Sequence, residues 1–278
     1  MKLTACVTLA TFLVLNAGFA AAAEIDRYVR YDDGQAASYG QVDGELIRQL
    51  DKAPWEGGKP SGTTVERAKV KLLAPVEPSK VFAIGFNYDS HLEDRELPTE
   101  PPVFLKLPTT IIGPGEQIVF PQGATNVHYE GELVIVIGRE AKNIPREIAG
   151  NYVFGVTAGN DVSERDWQAN DLQWFRGKAS DTFGPVGPEI VTGLDYSDLL
   201  LQTRLNGKTV QKQRTSDLIQ DVASIVSFIS QYATLLPGDI IFTGTPGTTG
   251  PMKRGDVVEV EIEHVGILRN TIGSISID

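Results

Sequence analysis

Glu130 and Glu132 stand two residues apart in HYEGELVIVIG, a segment whose apolar continuation reads as a strand, so both side chains leave the same face. A solvated strand face would tolerate such a pair. The unbroken apolar run from Leu133 to Ile137 instead suggests a strand covered on both faces. Two neighbouring carboxylates buried there cost several kcal/mol unless a cation compensates them, and a hard divalent ion held by oxygen ligands is the simplest compensation. Asp161, at the end of YVFGVTAGND, offers a third carboxylate; as an isolated residue it would cap a helix expected over 163–170. The two roles are compatible. Three carboxylates with open positions for water and substrate suit Mg²⁺ or Mn²⁺ better than zinc. His128 is placed either as a fourth ligand or as a hydrogen-bonding support to the set.

Several familiar sites are missing from the sequence. No G-x-G-x-x-G follows a strand, and there is neither a G-x-x-x-x-G-K-[ST] phosphate loop nor a G-x-S-x-G nucleophile elbow. Only His91, His128 and His264 are available for an all-histidine metal site. The one cysteine, Cys6, falls within Lys2, the apolar stretch 3–15 and the small residues that run to Ala23, the layout of a cleavable export signal. Residues 1–23 are therefore expected to be a signal peptide, which makes the mature chain periplasmic or secreted and free of cysteine. Disulfides, thiolate nucleophiles and Cys-ligated zinc are excluded on that count. An uncleaved anchor is the alternative, but an apolar core of about 13 residues is short of the roughly 20 that span a bilayer. Lys+Arg 25 against Asp+Glu 36 gives a net charge of -11 with no basic run, which argues against a nucleic-acid groove. Hydrophobic residues at 41% and charged at 22% predict a packed globular core, with no membrane association after signal cleavage.

The elements that must hold these residues are mostly strands. Residues 28–51 read as short strands broken at Asp33-Gly34, Gly40 and Asp43-Gly44, followed by a Pro/Gly-rich passage over 54–62. They make a small β-rich N-terminal module, 24–75. Longer apolar strands begin beyond Pro75, at 81–84, 103–105, 117–120, 127–137 and 153–158, and start a larger domain, 76–278. Asn206-Gly207 marks a two-residue hairpin turn. Thr215 or Ser216 is expected to cap a helix whose apolar positions recur from Leu218 to Tyr232, and strands follow at 240–243, 257–262 and 267–277. Strands outnumber helices without βαβ alternation, so the expected class is α+β with an antiparallel or mixed core.

The blocks IGFNYDSH (84–91), YEGELVIVIG (129–138), GNDVSERDWQ (159–168), RGKASDTFGPVGP (176–188), LNGKTVQ (205–211), LLPGDIIFTGTP (235–246) and RGDVVEVEIEHVGILRN (254–270) resemble, in order, the fumarylacetoacetate hydrolase family. The resemblance implies a rolled, multilayered mixed sheet, a homodimer, and one Mg²⁺ or Mn²⁺ per active site, with Ca²⁺ as a further fit. By the same resemblance Glu130, Glu132 and Asp161 match the metal-binding carboxylates, His91 the catalytic histidine, Lys178 the active-site lysine and Thr245 a substrate-contacting threonine. Phe86, Tyr88 and Gln168 are expected beside the substrate. The implied function is divalent-metal-dependent hydrolysis of a C–C bond in a small 2-oxo or β-diketo carboxylic acid, such as an acylpyruvate or fumarylpyruvate of aromatic catabolism, through a metal-stabilised enolate. An isomerase, hydratase or decarboxylase acting on a 2-oxo dicarboxylic acid is the alternative within the family. A non-catalytic exported metal- or ligand-binding module is the alternative outside it.

The residues agree with that chemistry. His91 suits a general base at neutral pH, although taken alone it reads as an exposed loop residue. Lys178, by itself a surface lysine, would add positive charge near a developing oxyanion. Asp181, Gln168 and Gln211 are polar residues of the same blocks that hydrogen bonding within the sheet could equally explain. Three departures stand out. Where the family places Glu three residues after the histidine, this chain has Asp94 preceded by Glu93, so either carboxylate is a candidate to polarise His91. Phe86 stands where acylpyruvate-cleaving members often have arginine, which argues against a substrate needing a cation at that position. The turn after Thr245-Pro246 reads Gly247-Thr248-Thr249-Gly250 in place of x-G-x-G.

Overall fold

In a computed structural model of the chain, residues 24–92 and 94–273 are described; the expected signal peptide, Glu93 and the last five residues lie outside them. The apolar runs pair into one long mixed sheet in the order Pro60–Glu66, Leu46–Leu50, Ala37–Asp43, Asp26–Asp32, Gly184–Thr192, Val153–Asn160, Gly131–Ile137, Ile240–Phe242, Val81–Ile84 and Val103–Lys106. Neighbours along this path are antiparallel except Ile240–Phe242, which runs parallel to Val81–Ile84. A second sheet has the order Lys208–Arg214, Leu200–Leu205, Val257–Ile262, Gly266–Gly273 and Gln117–Val119, and its first pair turns at Asn206-Gly207 with φ of 51° and 78°, as the hairpin signal predicts. The α+β, mostly β class holds.

Alternation along Gly131–Ile137 explains the layering. Val134 and Val136 pool with Val81 and Ala83 on one side and Val186 and Ile190 on the other, from strands two places away, as they do when a sheet curls around its own apolar face. On the outer face, Ile135 and Ile137 pack against Ile225, Val226 and Ile229 of the helix Val222–Tyr232, while Leu133 meets Leu201, Val260 and Leu268 of the second sheet. The strands of residues 24–75 extend the same long sheet: Tyr28 pairs with Ile190, and Arg27 and Arg67 grip the buried Glu189 at 2.6 and 3.1 Å.

Local chemistry moved two boundaries. The helix expected behind Thr215 or Ser216 begins at Val222, because Asn87 holds the intervening chain extended: its backbone carbonyl accepts from Ile219 N–H and its side-chain oxygen from Gln220 N–H at 2.7 Å. Asp221 is the cap, accepting from Ser224 N–H at 2.8 Å. The expected strand over 127–137 is two pieces, Val127–His128, which pairs with Ser163–Glu164, and Gly131–Ile137. Among the described residues, no helix is long and apolar enough to cross a membrane.

Gly159 lies opposite Glu132 on the neighbouring strand, and a Cβ there would come within 2.4 Å of Val134 Cγ2 and 2.6 Å of Phe242 Cε1. Gly159→Ala is therefore expected to overpack the curl beneath the carboxylates and destabilise the fold by about 1–3 kcal/mol. Urea unfolding checks this, and an unchanged midpoint would contradict the close packing.

Candidate metal centre and active site

Two adjacent antiparallel strands bring the carboxylates together. Glu132 is the second residue of Gly131–Ile137, Glu130 immediately precedes that strand, and Asp161 immediately follows Val153–Asn160. Glu130 N–H donates to Asn160 Oδ1 at 2.8 Å, and Asp161 N–H donates to the Glu130 carbonyl at 2.9 Å, so both strand ends are tied. Glu132 shares the inner face with Val134 and Val136, and the apolar lining of the curl thus ends in acid. Ligand oxygens of Glu130, Glu132 and Asp161 all lie within 4.8 Å of one another, and all three residues are buried. Asp161 is not a helix cap. The helix starts later, at Arg165–Asn170, and Glu164 caps it by accepting from Trp167 N–H at 2.6 Å.

Three basic side chains face the cluster. Lys178, from the short helix Phe175–Lys178, donates to Glu130 Oε2 and Asp161 Oδ2, each at 2.6 Å. Lys106, at the end of Val103–Lys106, donates to Asp161 Oδ1 at 2.6 Å and also to the Lys178 carbonyl. Arg165 reaches Glu130 Oε1 at 2.5 Å. Burial alone would raise the Glu130 carboxyl, but Arg165, Lys178 and His91 together hold it well below the ordinary carboxylate range. Glu132 goes the other way. Burial, then the neighbouring Asp161 and Glu130, push it well above that range, and Lys178 and the Gly244 N–H, which donates to Glu132 Oε2 at 2.6 Å, only partly oppose them. Gly244 makes that approach at φ 107°, with Asn87 Cβ only 2.7 Å from where its own Cβ would be. A buried carboxyl crowded by two others, in an all-oxygen donor set, fits a hard divalent cation.

Glu130 and Glu132, with Lys178 and Arg165, line a 630 Å³ cavity. His91 lines it, with Nδ1 2.5 Å from the Gly247 carbonyl. A carbonyl only accepts, so Nδ1 carries the hydrogen and Nε2 is the atom left to exchange a proton. Asp94 is exposed, and Glu93 lies outside the described residues. Asp94→Asn is accordingly expected to leave turnover essentially unchanged in a steady-state assay, and a large loss would restore Asp94 as the partner of His91.

His128 is half-buried, with Nδ1 2.9 Å from Thr249 Oγ1 and Nε2 2.8 Å from Asn126 Oδ1. Burial, then Arg165, push its imidazole down to about 4. Both ring nitrogens are thus engaged away from the carboxylates, a supporting arrangement. Thr245 lines the cavity with its hydroxyl committed: it donates to the Gly131 carbonyl at 2.9 Å and accepts from Gln211 Nε2 at 2.8 Å. Gln211 also donates to the Pro246 carbonyl and accepts from Gly131 N–H, and so ties the Thr245 loop to the ligand strand. Gln168 is on the wall, accepting from Arg165 at 2.7 Å.

Phe86 and Trp174 face each other across that wall with ring centroids 6.0 Å apart, both at left-handed φ, 52° and 58°. Such backbone is uncommon for aromatic residues and gathers at functional sites. Arg95 lies over the Phe86 ring at 4.8 Å. Tyr88, expected beside the substrate, is fully buried away from the cavity, where a backbone bridge to Leu218 fixes it. Asp181 is exposed and outside the cavity lining.

Lys106 and Arg165 were not among the residues expected at the site. Lys106 had a legible signal: in VFLK it shares a strand face with Phe104, and a lysine on the covered face of an apolar strand needs a carboxylate. Arg165 had none, since an arginine after a strand reads as solvated.

Comparison with known proteins adds to this geometry. A family model described as "Fumarylacetoacetate (FAA) hydrolase C-terminal" matches residues 80–273, and a second, "Rv2993c-like, N-terminal", matches residues 26–75. The crystal structure of 2-hydroxyhepta-2,4-diene-1,7-dioate isomerase from Mycobacterium marinum is 42% identical with a TM-score of 0.85, covering 90% of this chain and 99% of that one. Mitochondrial oxaloacetate tautomerase Fahd2a of Rattus norvegicus is 38% identical over 222 residues, 75% of this chain and 71% of the relative. Maleylpyruvate hydrolase from Sphingobium sp. SYK-6, solved in complex with manganese (II) ion and pyruvate, is 30% identical with a TM-score of 0.74, covering 89% and 99% of the two chains.

Proposed function

The chain belongs to the fumarylacetoacetate hydrolase family, whose members include hydrolases, isomerases and an oxaloacetate tautomerase, and from that membership we propose that it is a divalent-metal-dependent enzyme that moves a proton at the carbon next to the keto group of a small 2-oxo dicarboxylic acid. Glu130, Glu132 and Asp161 would hold the cation, Mg²⁺ or Mn²⁺, which would supply Lewis-acid polarisation of the 2-oxo group. Arg165 and Lys178 keep positive charge beside the site where the substrate carboxylate and the developing oxyanion sit. His91, oriented through Nδ1, takes the proton at Nε2 and returns it. The apolar wall of Phe86, Phe104 and Trp174 limits water at the reacting carbon.

One observation carries this reading. Three buried carboxylates already face three basic side chains, and Glu130, Glu132, Lys178 and Arg165 of this set line the cavity, so a divalent cation leaves a surplus of positive charge for an anionic acid.

Isomerisation or tautomerisation stands ahead of hydrolysis because it asks of His91 only the proton exchange at Nε2 that its Nδ1 contact with the Gly247 carbonyl orients. The resemblance to the isomerase and the tautomerase supports the same order. Hydrolytic C–C cleavage is the second reading, favoured by the likeness to maleylpyruvate hydrolase. Metal-loaded protein tested on oxaloacetate, fumarylpyruvate and acylpyruvates, with enol absorbance and product mass followed together, separates them. Conserved mass means isomerisation, two acids mean hydrolysis, and CO₂ means decarboxylation. No turnover with metal bound would make the chain a binding module.

We also propose that the chain is exported and cleaved after Ala23, which the mass of the mature protein tests.

A further inference from the structure

The Gly247-Thr248-Thr249-Gly250 turn that departs from the glycine-rich pattern contributes Thr249 to a hydrogen-bond chain in which every proton has one place. Arg165 NH2 lies 2.7 Å from Thr249 Oγ1, and arginine only donates, so the hydroxyl oxygen accepts there. At the other end, Asn126 Nδ2 donates to Asp166 Oδ1 at 2.9 Å; a carboxylate only accepts, which pins the Asn126 amide with its oxygen toward His128. His128 Nε2, 2.8 Å from that oxygen, must therefore carry a hydrogen. In the neutral ring Nδ1 is then a bare acceptor, and the one hydrogen of the Thr249 hydroxyl points to it across 2.9 Å. The direction is fixed throughout: Arg165 to Thr249 to His128 to Asn126 to Asp166.

We propose that Thr249 is a positioning residue that sets Arg165 against the metal-site carboxylate Glu130 and against Gln168. Arg165 NH2 donates to Thr249 and forms an ion pair with Glu130 Oε1 at 2.5 Å, while NH1 donates to Gln168 Oε1 at 2.7 Å. Thr249 is the partner that ties the guanidinium to the loop closing the cavity, and the His128 to Asp166 segment anchors that hydroxyl from behind. The same loop is held from its far side, where Met252 N–H donates to the Val127 carbonyl at 2.8 Å. Without the acceptor at 249 the guanidinium is free to rotate off Glu130, and the wall that Gln168 completes loses its register.

Thr249→Val keeps the shape and removes both hydrogen bonds, whereas Thr249→Ser keeps them. The valine variant is expected to lose about tenfold in kcat/KM for the 2-oxo acid, mostly through KM, and the serine variant to stay within about twofold of the parent. This kinetic arm rests on the proposed reaction. A second arm does not: two-bond ¹H–¹⁵N correlations of ¹⁵N-histidine-labelled protein at neutral pH should show His128 as the Nε2–H tautomer. Its bare Nδ1 signal should carry a hydrogen-bond shift in the parent and the serine variant that is lost in the valine variant. A protein inactive on every 2-oxo acid with these signals present would sink the reaction and keep the relay. An Nδ1–H tautomer in the parent, an unchanged Nδ1 signal in Thr249→Val, or valine-like kinetics in Thr249→Ser would overturn the relay.

Discussion

Glu132→Gln is expected to abolish divalent-metal binding and turnover together while making the metal-free protein more stable. Glutamine has the same shape and can still accept the Gly244 N–H, so no buried donor is orphaned. Among the described residues no ion pair reaches Glu132, in contrast to Glu130 and Asp161, so the substitution also leaves no lysine or arginine without its partner. What it removes is a buried carboxyl whose ionisation Asp161 and Glu130 oppose. In the unfolded chain glutamate ionises near pH 4.3 or about that, whereas in the fold it holds its proton to higher pH. The metal-free parent should therefore lose stability as pH rises through the interval between those two values, and the glutamine variant should not. Metal affinity should fall by more than about 100-fold, beyond the 10–100-fold typical of losing an outer support to a ligand. Isothermal titration with Mn²⁺ and urea unfolding of the metal-free proteins at two pH values measure both halves. A variant that still binds Mn²⁺ tightly, or unfolds more readily than the parent at neutral pH, would contradict the assignment.

Lys178→Met has the opposite stability sign. The Lys178 ammonium makes two 2.6 Å bonds inside a buried cluster, and its loss leaves Glu130 with Arg165 and Asp161 with Lys106 as their basic partners. Breaking a buried pair from one side costs about 3–5 kcal/mol, and removing a donor aimed at a developing oxyanion costs about 10²–10³ in kcat. A divalent cation would supply the missing positive charge, so excess Mn²⁺ should recover much of the stability, by about 2.7 kcal/mol at a concentration 100 times the Kd, and little of the rate. Thermal unfolding with and without Mn²⁺, beside kcat, separates these effects. Full activity in the metal-loaded variant would remove Lys178 from the chemistry.

The carboxylate set was legible because its signal is local. Two acids at period two on a strand that continues as pure hydrocarbon make a conflict that a cation resolves most simply, and Asp161 closes the neighbouring apolar run. What stayed hidden depends on contacts across the chain. Gly184–Thr192 is a central nine-residue strand, yet its two prolines and two glycines read as loop punctuation. The start of the helix Val222–Tyr232 is set by Asn87, more than 130 positions away, and no capping pattern near Thr215 could reveal that. Tyr88 sits in a motif whose neighbours reach the cavity, but backbone pairing to Leu218 turns it into the core. Arg165 became visible only once the fold placed it 2.5 Å from Glu130.

The most direct test of the central claim is the rate at which metal-loaded protein converts the enol of oxaloacetate to its keto form, followed by ultraviolet absorbance in parallel with the Glu132→Gln variant. The predicted result is saturable acceleration that requires Mg²⁺ or Mn²⁺, conserves substrate mass and disappears in the variant. Acceleration that persists in Glu132→Gln, or its absence from parent protein with the cation bound, would contradict a metal-dependent proton transfer at this site.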